Sequence, residues 1–344
     1  MKPVVEKLIG SLIGLAAALA AMALAFSLLG YNPAEAFRLL GEGIVENYDI
    51  MLLRVAPLIL TSLAFAVPAF AGLFNIGGEG QAYVGALAAL AVSYIAPNPV
   101  LCLLVGALAG GLLGYLAGVL RVKRGVHEVV STIMLNWIAF YTVRYIVVNY
   151  FKNPYYPDTT NPVPPPGRLG QVAGVPVVVF IAIAACILCY LVLYRMPLGL
   201  AIRSTGAGYE AARRLGIDVE KAMILSMLLG GVFGGLAGAV IVIGETYNLD
   251  VALSSVYGVG FDGIGAALLA WNNPLAIPFS SLLLSALVAG GYQLQIGMGI
   301  DIHVLSIFTG VVVFVLGLPS LYELLKPKLQ ALRLAKARRR GGGA

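Results

Sequence analysis

Charge is what this sequence has least of. Asp, Glu, Lys and Arg make up 11% of its 344 residues, while 60% are hydrophobic. Soluble domains carry about 25% charged residues, so a water-soluble globular fold is excluded. No G-x-x-x-x-G-K-[ST] stretch occurs, and no Gly-Lys pair occurs anywhere. A phosphate-cradling P-loop of that form is therefore absent. H-E-x-x-H and G-x-S-x-G are also missing, and the two histidines, His127 and His303, lie far apart. No catalytic residue, metal-ligand set or cofactor is assigned. The three cysteines, Cys102, Cys186 and Cys189, all lie inside apolar runs. The Cys186-x-x-Cys189 spacing is read there as packing, not as a redox or metal pair.

What the chain has instead is apolar length. Mean hydropathy is +0.93. Ten candidate spans follow at 8–29, 51–70, 77–95, 100–120, 129–149, 175–194, 222–243, 259–271, 275–291 and 303–319. Most approach the ~20 residues that cross a bilayer. The eighth is short and reads as half of a broken or re-entrant helix. The first apolar run is too long for a signal peptide's core of about 7–15 residues and reads as a retained span. The fold class is thus an all-α polytopic membrane protein of about ten transmembrane helices. Residues 1–320 form its membrane domain, and 321–344 a basic tail read as anchored at the lipid surface.

Lys and Arg set the orientation. With the N-terminus inside and alternating spans, 17 of the 22 basic residues fall in inside segments. Only Arg38, Arg54, Arg144, Lys152 and Arg168 fall in or near outside ones. That asymmetry satisfies the positive-inside rule and places both termini in the cytoplasm. The net charge of +6 is therefore assigned to topology and lipid, not to nucleic acid. Residues 30–50 and 150–174 face outward; the second contains PVPPP, which favours polyproline II. Residues 195–221 face inward.

Two polar knots interrupt the apolar pattern. GLFNIGGEGQ, residues 72–81, places Asn75, Gly77, Gly78, Glu79 and Gln81 between two spans. Irregular backbone at membrane depth must be buried in protein or line a cavity. An ionisable residue beside a span is costly unless paired or functional. Asn, Gly and Glu also make ordinary turns, and spacing alone does not separate a turn from a pathway element. The second knot, GVGFDGIGAALLAWNNP (258–274), surrounds Asp262 with glycines. The knots fall in opposite halves, and their spans run in opposite directions. Spans 2–5 and 7–10 are accordingly expected to be inverted repeats, the arrangement found around many central transport sites.

Three further features complete the pattern. In GVHEVVSTIMLNWIAF (125–140), Glu128 is expected to pair with a nearby base, and Asn136 lies deeper in the span. Gly106, Gly110, Gly114 and Gly118 recur at every fourth position, as do Gly230, Gly234 and Gly238; such stripes let helices pack closely. The inward loop carries YEAARRL (209–215), a short helix former expected between Gly206 and Gly216. Presented to the cytoplasm, such a helix suits docking into another protein's groove.

Together, GLFNIGGEGQ, GVHEVVSTIMLNWIA, RSTGAGYEAARRLGI and GVGFDGIGAALLAWNNP resemble the recurring motifs of ABC-importer permeases for nucleosides and simple sugars. Ribose-type permeases usually carry a G-G-I-D-L-S-V-G-like stretch where this chain has NIGGEGQ, which favours the nucleoside-type branch. His127 stands where that family often has Asn. The resemblance implies a Type II importer architecture and a plasma-membrane location in a prokaryote. Two permease subunits, the second the same or a related chain, would enclose the pathway. A separate ATPase would dock at Arg203, Gly206, Glu210, Ala211 and Gly216, and an extracytoplasmic binding protein would deliver solute. Asn75, Gly77, Gly78, Glu79, Gln81, Asn136 and Asp262 would border the pathway or hold broken helices. Bulk in the first knot is expected to harm function more than loss of the Glu79 charge. An ion-coupled secondary transporter, with Glu79 or Asp262 carrying the ion, is the competing reading; a non-transporting membrane scaffold is a third.

Overall fold

The computed structural model describes residues 19–300 and 310–311. Apolar segments become helices wherever proline and glycine allow it. The helices are α1 (Leu19–Leu28), α2 (Pro33–Glu46), α3 (Tyr48–Phe70), α4 (Gly78–Ile95), α5 (Pro99–Arg124) and α6 (Glu128–Ile146). They continue as α7 (Val177–Arg195), α8 (Pro197–Ala207), α9 (Tyr209–Arg214), α10 (Val219–Ile241), α11 (Val259–Leu269) and α12 (Ile277–Met298). Single π turns extend α6 over Val147–Phe151 and α10 over Val242–Thr246. The two-residue strands β1 (Gln171–Val172) and β2 (Val175–Pro176) pair antiparallel.

Among the described residues six helices are long and apolar enough to cross a membrane: α3, α5, α6 and α10 with their π turns, α7, and α12. The protein is an all-α polytopic membrane protein. The expected third and eighth spans are present but differ from the rest. α4 opens on GEGQ, which dilutes its apolar character. α11 has 11 residues and at 1.5 Å per residue covers only about half of a ~30 Å hydrocarbon core. Only residues 19–28 of the expected first span are described. The expected span 303–319, apart from 310–311, and the tail 321–344 lie outside the described residues, so the second expected repeat is described only in part.

Contacts divide the chain into two units, residues 47–286 and residues 1–46 with 287–344. In the larger unit, α10 lies against α5 along the glycine stripes. A Cβ added at Gly110 would sit 2.4 Å from the Gly235 Cα, and one at Gly114 would sit 2.3 Å from the Met227 carbonyl oxygen. Such backbone-to-backbone packing replaces the hydrophobic driving force that helices lack inside lipid. α4 joins the same stack, since a Cβ at Gly238 would fall 1.9 Å from the Ala82 carbonyl oxygen. In the smaller unit Gly43 packs against Gly290 and Gln293. The rings of Phe26 and Phe37 meet edge to face at 6.1 Å.

The segment between α6 and α7 lies along the end of α10. Val163 N–H donates to the Tyr247 carbonyl at 2.7 Å and Leu169 N–H to the Ile243 carbonyl at 2.7 Å. Within PVPPP, Pro164 takes φ −55° and ψ 142°, close to the expected polyproline II geometry.

Candidate functional site

The first polar knot is not a simple turn at the end of a span. After α3 ends at Phe70, the chain doubles back along it. Asn75 Nδ2 donates to the Ala64 carbonyl at 2.9 Å, six residues before the helix end. That is about 9 Å along the axis at 1.5 Å per residue, so α4 starts well inside the length of α3. The irregular backbone is satisfied by side chains, as burial requires. Gly77 N–H donates to Asn75 Oδ1 at 2.9 Å, and Gln81 Nε2 approaches the same oxygen at 3.4 Å. Asn136 on α6 bridges the segment from the other side: its Oδ1 accepts from Gly80 N–H and its Nδ2 donates to the Ile76 carbonyl, both at 2.9 Å. Asn75, Glu79, Gln81 and Asn136 are all at most 6% exposed.

Glu79 joins the two knots. Its Oε1 accepts from Gly258 N–H at 2.6 Å and its Oε2 from Gly260 N–H at 2.7 Å. Tyr83 O–H, one turn along α4, donates to Oε1 at 2.6 Å. Three donors surround one buried carboxylate, which suits an acceptor-only group. Two of those donors belong to the start of α11, where backbone N–H groups lack helical partners and the helix dipole favours a negative charge. Glu79 thus caps the short helix from 179 residues away in sequence. Thr61 of α3 reinforces the joint by donating to the Val259 carbonyl at 3.0 Å.

The glycines around this joint differ in what they do. Gly258 adopts φ +84°, a left-handed conformation that side chains disfavour. A Cβ at Gly260 would sit 2.2 Å from Glu79 N, and one at Gly80 would sit 2.8 Å from the Asn136 Cα. At Gly77 it would meet the Asn75 and Gln81 side chains at 2.8 and 2.9 Å. At Gly78 it would make only ordinary contacts beyond 3.7 Å. The tightest backbone approach therefore falls at Gly260, followed by Gly80 and by Gly263 against Thr61, with Gly78 looser than its place in the motif suggests.

Asp262 sits on the first turn of α11, outside the Glu79 cluster. No hydrogen bond reaches its carboxylate among the described residues, and Asp262 is only partly buried. Beside the cluster, the rings of Tyr83, Trp137, Phe140, Tyr257 and Phe261 surround a recess of about 40 Å³, with Glu79 and Asn136 in its wall. Phe140 meets Tyr83 edge to face at 5.5 Å and Trp137 at 6.0 Å. The motifs named Glu79, Asn136, Gly258 and Gly260, but not their joining. Tyr83 was legible only as a polar residue four positions from Glu79, and nothing in the spacing singled out Trp137, Tyr257 or Phe261.

At the other candidate site, α8 and α9 form the 195–221 loop. Glu210 and Ala211 are exposed on α9, and Gly216, at φ +81°, follows its end. Two expectations change. The break between α8 and α9 falls at Gly208, not at Gly206. Gly206 lies inside α8, where a Cβ would be 2.2 Å from the Phe70 carbonyl oxygen; its small size serves packing against α3. Arg203 faces inward to its own chain, since its Nε donates to the Leu193 carbonyl at 3.0 Å and its guanidinium lies 4.7 Å from the Tyr194 ring. Glu128 forms the expected ion pair, at 3.1 Å from Arg121 Nε. His127 caps α6 by accepting from Val129 N–H at 3.3 Å, a role that Asn also fills well.

These features define a polytopic membrane protein whose buried polar residues knit broken helices together beside an aromatic recess. Residues 47–317 match the family described as branched-chain amino acid transport system / permease component. The guanosine ABC transporter permease protein NupP of Bacillus subtilis is 32% identical over 88% of this chain and 90% of its own length. The nucleoside ABC transporter permease protein NupB of Lactococcus lactis subsp. cremoris is 30% identical over 99% of this chain and 96% of its own. The glucose ABC transporter permease protein TsgB13 of Haloferax volcanii is 28% identical over 87% and 84%. The chain belongs to this permease family, and is a membrane-spanning permease subunit of an ATP-binding-cassette importer. In such systems the ATPase is a separate subunit, and a substrate-binding protein works with the permease.

Proposed function

We propose that the chain carries a nucleoside inward across the plasma membrane, with its termini and the 195–221 loop on the cytoplasmic side. The similarity to NupP and NupB, which extends over most of the chain, supports a nucleoside in preference to a simple sugar. A second permease subunit, the same or a related chain, completes the pathway. The ATPase docks on the exposed face of α9 through Glu210 and Ala211, and its closure on ATP is transmitted through α8, whose Gly206 abuts the end of α3. An extracytoplasmic binding protein loads the solute from the other side.

The observation that carries the mechanism is the Glu79 joint. It ties the start of the short helix α11 to the start of α4, which follows an irregular buried connection, across opposite halves of the chain. Discontinuous helices recur at solute sites near the middle of the bilayer. The same geometry gives Glu79 a structural task that ion coupling does not require, since its carboxylate already accepts three hydrogen bonds. Uptake of radiolabelled guanosine by proteoliposomes holding the permease with its ATPase and binding protein tests the reading. Uptake should require ATP hydrolysis. Uptake driven by a proton or sodium gradient without ATP would refute it.

A further inference from the structure

The carboxylate and the amide beside the recess are already engaged, so among the described residues only the Trp137 ring N–H and the Tyr257 hydroxyl remain as unoccupied polar side-chain groups in its wall. Glu79 accepts three hydrogen bonds, and Asn136 is bonded at both ends of its amide. A sugar ring presents hydroxyls over most of its surface and would need many unspent partners here. What the recess offers instead is ring faces. Trp137, Tyr257 and Phe261 are 49%, 57% and 50% exposed, although each adjoins a fully bonded polar residue or backbone segment. Trp137 follows Asn136, while Tyr257 and Phe261 flank the Gly258–Gly260 stretch that Glu79 holds. The joint therefore fixes the backbone that carries these rings before any solute arrives, which lowers part of the ordering cost of binding.

Resting on the nucleoside-permease reading above, we infer that this recess is one wall of a subsite for the flat heteroaromatic ring of the solute, stacked on Trp137 and Phe261. Base–aromatic stacking requires only a π face, and its strength varies with the base. It suits a pathway that must hold a solute without trapping it. The recess, at about 40 Å³, falls well short of the roughly 300–1,000 Å³ of an enclosed ligand pocket. A half-site of this size gains its other wall from the second permease subunit.

The test uses the full complex of permeases, ATPase and binding protein in proteoliposomes, with guanosine and uridine as probes at low concentration. The ribose is common to both, so only the base distinguishes them. Trp137→Leu should lower ATP-driven guanosine uptake about tenfold and uridine uptake less, because the pyrimidine has the smaller face. Trp137→Phe, which keeps a ring, should stay within about twofold of the unmodified complex. Phe261→Leu should repeat the base-dependent loss from the α11 side. Co-purification of each variant with the ATPase verifies assembly. Equal losses for both nucleosides would mean that the rings contact the ribose, and would overturn the inference. Unchanged uptake would mean that they face lipid, and loss of assembly that they form the subunit interface; either result also overturns it. Absence of ATP-driven uptake in the unmodified complex would instead refute the permease reading itself.

Discussion

Glu79→Gln isolates the joint between the two knots with almost no change in shape. The carboxylate offers one oxygen to Gly258 N–H at 2.6 Å and the other to Gly260 N–H at 2.7 Å. Glutamine keeps a single oxygen. Whichever way the amide is turned, its NH₂ faces a backbone N–H, so one bond becomes a donor–donor contact. A hydrogen bond to a charged group contributes about 1.5–3 kcal/mol, and a buried donor left without a partner costs about 1–3 kcal/mol. Both figures describe the same loss, which destabilises the docked start of α11 by up to about 3 kcal/mol. At 1.4 kcal/mol per tenfold, the docked population relative to the undocked falls by up to about 100-fold. Glu79→Asp keeps both oxygens but shortens the reach by one methylene, and should be intermediate. Surface-expressed protein and ATP-driven uptake are measured together, with thermal unfolding of the purified protein alongside. Uptake should drop at least tenfold in Glu79→Gln with a lowered melting temperature. A variant that transports and melts like the unmodified protein would refute the claim that this carboxylate holds α11.

The sequence motifs located these residues but not the contacts through which they act. Glycine crowding and buried polarity marked 72–81 and 258–274, because both features conflict with an apolar span whatever the fold. Which oxygen meets which N–H depends on a contact across 179 residues, and no local spacing encodes that. Hence the sequence favoured bulk over charge as the sensitive property, whereas the three bonds to Glu79 make its conservative replacement costly too. The looseness at Gly78 and the tightness at Gly260 have the same origin: a glycine's need is set by what approaches it. The short helix at 209–214 was legible from its composition, since Ala, Glu and Arg favour helix. Its N-terminal break at Gly208 was not, because Gly206 and Gly208 look alike until α3 is placed beside one of them. The glycine stripes of α5 and α10 were fully legible, because a four-residue repeat places every member on one helix face.

Four further outcomes follow from the geometry. Gly260→Ala should cost about 3 kcal/mol, because its Cβ would fall 2.2 Å from Glu79 N; reduced expression and a lowered melting temperature check it, and normal values for both would contradict the close approach. Gly110→Leu should prevent stable folding by forcing α5 away from α10, read as loss of monodisperse protein in detergent. Glu210→Lys combined with Ala211→Trp should leave the isolated permease folded yet lower ATP-driven uptake at least tenfold; normal uptake would remove α9 from the ATPase contact. Asp262→Asn should be mild. The Asp262 carboxylate lies on the first turn of α11 outside the Glu79 cluster, where a charge near a helix N-terminus contributes about 0.3–1 kcal/mol, or about two- to fivefold in uptake. Asparagine retains polarity there, so the ATP requirement should persist and an imposed pH gradient should have no effect. A permease coupled to protons through Asp262 would behave in the opposite way: the unmodified protein would take up solute on a pH gradient without ATP, and Asp262→Asn would abolish that uptake, because an amide cannot carry the proton.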